Sequence, residues 1–141
     1  MLNSAVTLQG HVSITLNGEV AQEIPNLVVA SGKSFVATRM LDNTENVMSH
    51  MAIGTTETDS NAADTTLGSE NARVTLSSTT VSDNTITYVA SFGAGVGNGP
   101  IKEAGVFNNS SAGTMLCRTV FPVVNKGDND TMAITWTITA S

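Results

Sequence analysis

The stretch Thr131-Met132-Ala133-Ile134-Thr135-Trp136-Thr137-Ile138-Thr139 alternates with a period of two. Met132, Ile134, Trp136 and Ile138 share one side; the four threonines and Ala133 share the other. That period predicts a strand with one dry face and one hydroxyl-lined face. Val12, Ile14 and Leu16 alternate in the same way with Ser13 and Thr15, and Asn17-Gly18 then separates them from residues 19–24. Asn-Gly between two such runs predicts a tight hairpin. Further strands are predicted at residues 27–30, 48–53, 73–80, 85–92, 102–107 and 114–121. Asp83-Asn84 reads as a second tight turn, and residues 108–113 as a longer hairpin loop.

One segment departs from the period of two. Phe35, Val36, Arg39 and Met40 fall at helical spacing within residues 31–41. Ser31 or Gly32 is placed to start a short helix and Asp42-Asn43 to end it. Residues 55–70 and 93–100 read as loops, the second alternating glycine at Gly93, Gly95, Gly97 and Gly99. The pattern predicts an all-β fold: a two-sheet antiparallel sandwich, jelly-roll or Ig-like, of about eight strands with one short helix. The 141 residues suit a single domain, with residues 1–10 available as an N-terminal arm.

Composition sharpens this picture. Charged residues are 13% of the chain, about half the ~25% usual for soluble domains. Polarity comes instead from 20 threonines, 14 serines and 13 asparagines, one residue in three. Six cations against twelve acids leave a net charge of −6. That is a poor match for a polyphosphate, so no nucleic-acid partner is expected. No apolar run reaches the ~18 residues of a membrane span. The start, Met1-Leu2-Asn3-Ser4-Ala5-Val6, lacks a basic region followed by an apolar one, which predicts no signal peptide and synthesis in the cytoplasm. Cys117 is the only cysteine, so neither an intrachain disulfide nor a multi-cysteine zinc site can form.

Candidate chemistry is sparse. The glycine run does not fit GxxxxGK[ST], and a strand rather than a helix is predicted after it, so it reads as a hairpin or contact loop. His11 and His50 stand in strand patterns without a metal-ligand spacing. Cys117 lies inside an apolar strand and reads as core. Asp128-Asn129-Asp130 resembles a turn more than a calcium loop. Glu57, Asp59 and Asp64 are close enough in sequence to gather a cation. Trp136 and Tyr88 are the only aromatics beside four phenylalanines, too few to line a sugar cleft. The residues point to no enzyme, no cofactor and no resident metal.

The threonine face is the most informative feature. Monomeric β domains usually guard their wet faces and edges with charge. A Ser/Thr/Asn surface costs less to desolvate and can donate and accept hydrogen bonds, which suits broad contact with other protein surfaces.

A resemblance adds to this. Lys102-Glu103-Ala104-Gly105-Val106-Phe107-Asn108, Gly113-Thr114-Met115-Leu116-Cys117-Arg118-Thr119-Val120-Phe121, Asn125-Lys126-Gly127 and Ile134-Thr135-Trp136-Thr137-Ile138 resemble the C-terminal part of small tailed-bacteriophage virion proteins. Met51-Ala52-Ile53-Gly54-Thr55-Thr56 and Asp64-Thr65-Thr66-Leu67-Gly68-Ser69-Glu70 resemble the same family's Gly-Thr and acidic-Thr-x-Leu stretch. The likeness spans residues 47–141. It implies a head decoration (cement) protein on the outer surface of the virion, made in the host bacterial cytoplasm. Its partners would be the major capsid protein and further copies of itself, as a dimer or trimer. A tail-associated fibre or baseplate component is the alternative, and a carbohydrate-binding host-recognition module the third. On this reading the predicted contacts are the isolated cations Arg73, Lys102 and Arg118, facing acidic capsid groups, and Gly95 and Gly97 in the loop.

Overall fold

The structure, a computed structural model, describes residues 6–141. Asn17 and Gly18 both take positive φ, 54° and 84°. This is the geometry a two-residue turn between right-twisted strands requires. It joins β1 (Leu8–Leu16) to β2 (Glu19–Val28). β2 runs straight through Pro25, merging two segments predicted separately. Helix α1 (Ala30–Leu41) follows at once and ends at Asp42, as the spacing predicts. Gly32 lets α1 approach the backbone at Leu116 closely; a Cβ there would lie 2.0 Å from the Leu116 carbonyl oxygen.

The remaining strands are β3 (His50–Gly54), β4 (Glu70–Thr75), β5 (Ser78–Ser82), β6 (Thr85–Phe92), β7 (Gly99–Phe107), β8 (Met115–Lys126) and β9 (Met132–Ala140). β7 and β8 are longer than predicted, because Gly99-Pro100-Ile101 pairs with residues 124–126 beyond the expected ends. The predicted strand 73–80 is two strands. Leu76 donates its N–H to the Ser49 carbonyl and Ser77 to the Val89 carbonyl, so the chain leaves one sheet edge and joins the other within two residues.

All-antiparallel β structure with one short helix is observed. The nine strands form one sheet in the order β4-β3-β7-β8-β2-β1-β9-β6-β5, curled into a half-barrel. Among the described residues, strand pairing joins its two halves where Leu27 and Val28 of β2 pair with Arg118 and Cys117 of β8. Curling brings Val12, Phe92, Ile134 and Trp136 of one half into a shared core with Met51, Ile53, Ile101 and Val106 of the other. Residues 8–10, expected in an arm, are part of β1 and pair with β9, and Thr7 exchanges two backbone hydrogen bonds with Ser141. Residues 1–5 of that arm lie outside the described residues. No helix of the described chain is long and apolar enough to cross a membrane.

Candidate functional site

The outer faces of the two half-sheets differ in kind. Over β3, β7 and β8 the face is covered. Residues 55–69 fold across it and bury Leu67 with Val29, Ala52, Phe107 and Met115 in a second small core. Beneath the same loop lies a charge cluster. Glu103 on β7 is 0% exposed and Arg118 on β8 is 2% exposed. Arg118 Nη2 donates to Glu103 Oε1 at 3.0 Å, and Nη1 donates to Asp64 Oδ2 at 2.9 Å. The guanidinium also donates to the carbonyls of Thr58 and Asp59. Glu103 accepts the N–H groups of Thr56, Gly68 and Ser69 as well. A buried ion pair is tolerated when its remaining donors and acceptors are satisfied, and here the loop backbone satisfies them.

This placement corrects the reading of the predicted contacts. Arg118 is a buried clamp and cannot meet an outside acid. Arg73 is not isolated either. Its guanidinium pairs with Glu70, donates to the carbonyls of Asn109 and Ala112, and lies 3.8 Å from the centre of the Phe107 ring. Lys102 is partly exposed, with Glu57 at 3.5 Å. Asp64 and Glu57, considered as cation ligands, are thus partnered by the chain's own Arg118 and Lys102. Gly95 is exposed at the tip of its loop with φ 81°. Gly97 is packed rather than presented: with φ 68°, a Cβ there would lie 2.7 Å from Ile53 Cδ1. The loop is held from below by Lys126, 2% exposed, whose Nζ donates to the Gly93 carbonyl and Asn98 Oδ1.

The other candidate groups sit in ordinary structural roles. Ser49 Oγ lies 2.7 Å from His50 Nδ1, and Thr75 Oγ1 lies 3.5 Å from Nε2, with no carboxylate in either contact. Asp130 closes a turn by accepting the Gly127 N–H and ties it to the first hairpin by accepting from Asn17 Nδ2. These two bonds hold its carboxyl below the ordinary range. Cys117 is fully buried, and burial pushes its thiol well up, away from the reactive thiolate.

Over β1, β9, β6 and β5 the outer face carries no such cover among the described residues. Register places its side chains in rows across the strands: Ser13–Thr135–Val89–Ser78, His11–Thr137–Thr87–Thr80 and Gln9–Thr139–Thr85–Ser82. A shorter row, Thr15–Ala133–Ser91, lies at the other end. Every one of these residues is exposed or half-exposed, and none is Lys, Arg, Asp or Glu. Thr85 and Thr139 share a hydroxyl–hydroxyl bond of 3.0 Å, and Thr137 Oγ1 donates to the His11 carbonyl. Charge resumes one strand away, at Glu23 on β2, opposite Ser13.

The threonine period of β9 was legible in the sequence, but its continuation over four strands depends on the order β1-β9-β6-β5. Glu103 and Lys126 were not singled out by sequence. A signal existed for Glu103: it stands among Ile101, Gly105 and Phe107 in an otherwise apolar alternation, as Arg118 does in the neighbouring strand. An acid and a base, each standing alone among the apolar positions around it, are what a buried pair looks like in sequence. Comparison of the chain with protein-family models, curated proteins and solved structures gave no match.

Proposed function

We propose that this chain is a non-enzymatic structural protein of a tailed-bacteriophage virion, a decoration protein that binds the assembled head and bridges neighbouring major capsid proteins. The observation that carries an assembly role is the charge-free hydroxyl face spanning β1, β9, β6 and β5. Such a face loses little on desolvation and offers a donor or acceptor at nearly every position. The resemblance of residues 47–141 to phage virion proteins supports the virion as its setting. In this reading the two halves of the curled sheet serve as the layers of a jelly-roll-type sandwich.

Mass action supplies the mechanism. A protein that binds only the assembled lattice stabilises that lattice by its binding free energy, and many symmetric copies add avidity. The test is immunogold electron microscopy, with quantitative mass spectrometry, of particles released by cells carrying the gene. Head labelling with copy numbers in the hundreds is expected. Tail labelling at a few dozen copies replaces the head reading with the tail one, and unlabelled particles sink both.

A further inference from the structure

Among the described residues the half-barrel has two free edges, and they are built differently. β4 carries Glu70 and Arg73 and is interrupted by a register shift opposite Gly54. Charge and irregularity are the usual guards of an open edge. β5 has neither. Its five residues, Ser78-Thr79-Thr80-Val81-Ser82, are all exposed, uncharged and free of proline, and they pair with β6 in unbroken register.

The hairpin fixes which backbone groups are unpaired. Ser82 and Thr85 close a two-residue turn, with Asp83 at φ 52°. The closing pair of such a turn is hydrogen-bonded and the pattern alternates along the ladder. Ser82, Thr80 and Ser78 therefore bond to β6, while Thr79 and Val81 send N–H and C=O outward. The Ala140 N–H bonded to the Asn84 carbonyl on the far side of β6 agrees with this parity.

We infer that β5 is a self-association edge, pairing antiparallel with β5 of a second copy about a two-fold axis through Thr80. The sequence is self-complementary in that register. Thr79 faces Val81 of the second copy, Thr80 faces Thr80, and Ser78 faces Ser82, with no charge set against its like. The outward N–H and C=O groups of Thr79 and Val81 then bond each other across the axis.

The surroundings favour the same occupant. Val81 is 69% exposed on the inner side. It lines a groove of about 280 Å³ with Phe35, Val36 and Ile86, and Thr79 lines a neighbouring one of about 330 Å³ with Val47. A second strand at β5 brings apolar Val81 of one copy beside Thr79 of the other, at the mouths of both grooves. On the outer side it joins the two hydroxyl faces into one. The inference deepens the assembly reading at this face, but it needs no phage particle: it stands on the edge alone and is read on the isolated protein.

Sedimentation velocity of the full chain from about 1 µM to about 1 mM should show twice the 14.6 kDa mass appearing with a Kd of about 10–100 µM. Thr80→Lys sets two ammonium groups on the axis and should weaken the dimer at least tenfold, with the thermal midpoint unchanged. Thr80 meets its own copy as a non-hydrogen-bonded pair with Cα atoms about 4.5 Å apart, within disulfide range. Thr80→Cys should thus give a covalent dimer on mild oxidation, whereas Thr87→Cys in the middle of the face should not. A wild-type chain monomeric at the highest concentration overturns the inference. So does a Thr80→Lys dimer as tight as wild type, or equal cross-linking at both cysteines. Failure of particle labelling with the dimer intact would remove the virion reading and leave this one standing.

Discussion

Glu103 and Arg118 set the local energetics of the covered half. Each is buried and each holds the other in place, together with five backbone groups of residues 56–69. Removing one partner leaves a buried charge uncompensated, at a cost of about 3–5 kcal/mol. Arg118→Met, which strips Glu103 of its counter-charge, is expected to lose about that much in urea unfolding, and Glu103→Gln, which leaves Arg118 its Asp64 partner, to lose less. Hydrogen exchange should show the Gly68 and Ser69 amides losing protection ahead of the core strands. Tyr88 is the second residue with a measurable consequence. Burial, reinforced by the neighbouring Cys117, pushes its phenol from the ordinary 10.0 up to about 12. A folded pKa above the unfolded one means the fold favours the neutral phenol. That contribution is whole below pH 10 and is lost as pH rises through about 12. Stability should therefore decline between pH 10 and 12, and Tyr88→Phe should flatten the decline in a pH series of thermal melts.

At the scale of elements, α1 is held by close approach rather than by a cap. Its N-cap Val29 offers no side-chain acceptor. Instead the Ala30 N–H donates to the Ala62 carbonyl, Ser31 Oγ donates to the Met115 carbonyl, and Gly32 lies against Leu116. Gly32→Ala must push the helix off β8, because the obstacle is backbone that cannot rotate away. The expected loss is about 2–3 kcal/mol, despite alanine's better helix propensity. Gly18→Ala, by contrast, meets nothing within 4 Å and suffers only the strain of φ 84°, a loss of about 1 kcal/mol. The ordering of the two variants in denaturant midpoint is the check.

For the whole molecule, the uncovered face predicts a separation of stability from binding. Thr87→Lys and Thr135→Lys lie within the charge-free rows. Substitutions of half-exposed side chains away from packed contacts stay within about 0.5 kcal/mol. On the proposed decoration role, thermal midpoints should hold while binding to virions is lost, and a parallel loss of both would mean the face is packing rather than contact surface. Arg118, by the same logic, belongs to stability alone.

The local elements were fixed by the chain's own pattern. Side chains alternate across a strand whatever its neighbours, so β6 and β9 could be placed from sequence to within a residue, and Asn17-Gly18 and Asp83-Asn84 marked turns through their tolerance of positive φ. A period of two does not record which strand lies beside which. The break at Leu76-Ser77, the union of β2 across Pro25 and the curl of one sheet into a half-barrel arise from long-range pairing. So does the fate of the charges: Arg73 looks in sequence like any surface cation and Arg118 differs from one only by its apolar strand, and it is the loop that closes over Arg118 and the Glu70 carboxylate and Phe107 ring that hold Arg73 which take them out of play. Alternation is a property of consecutive residues; burial, partnership and edge exposure are properties of residues brought together from far apart, and tertiary structure alone decides them.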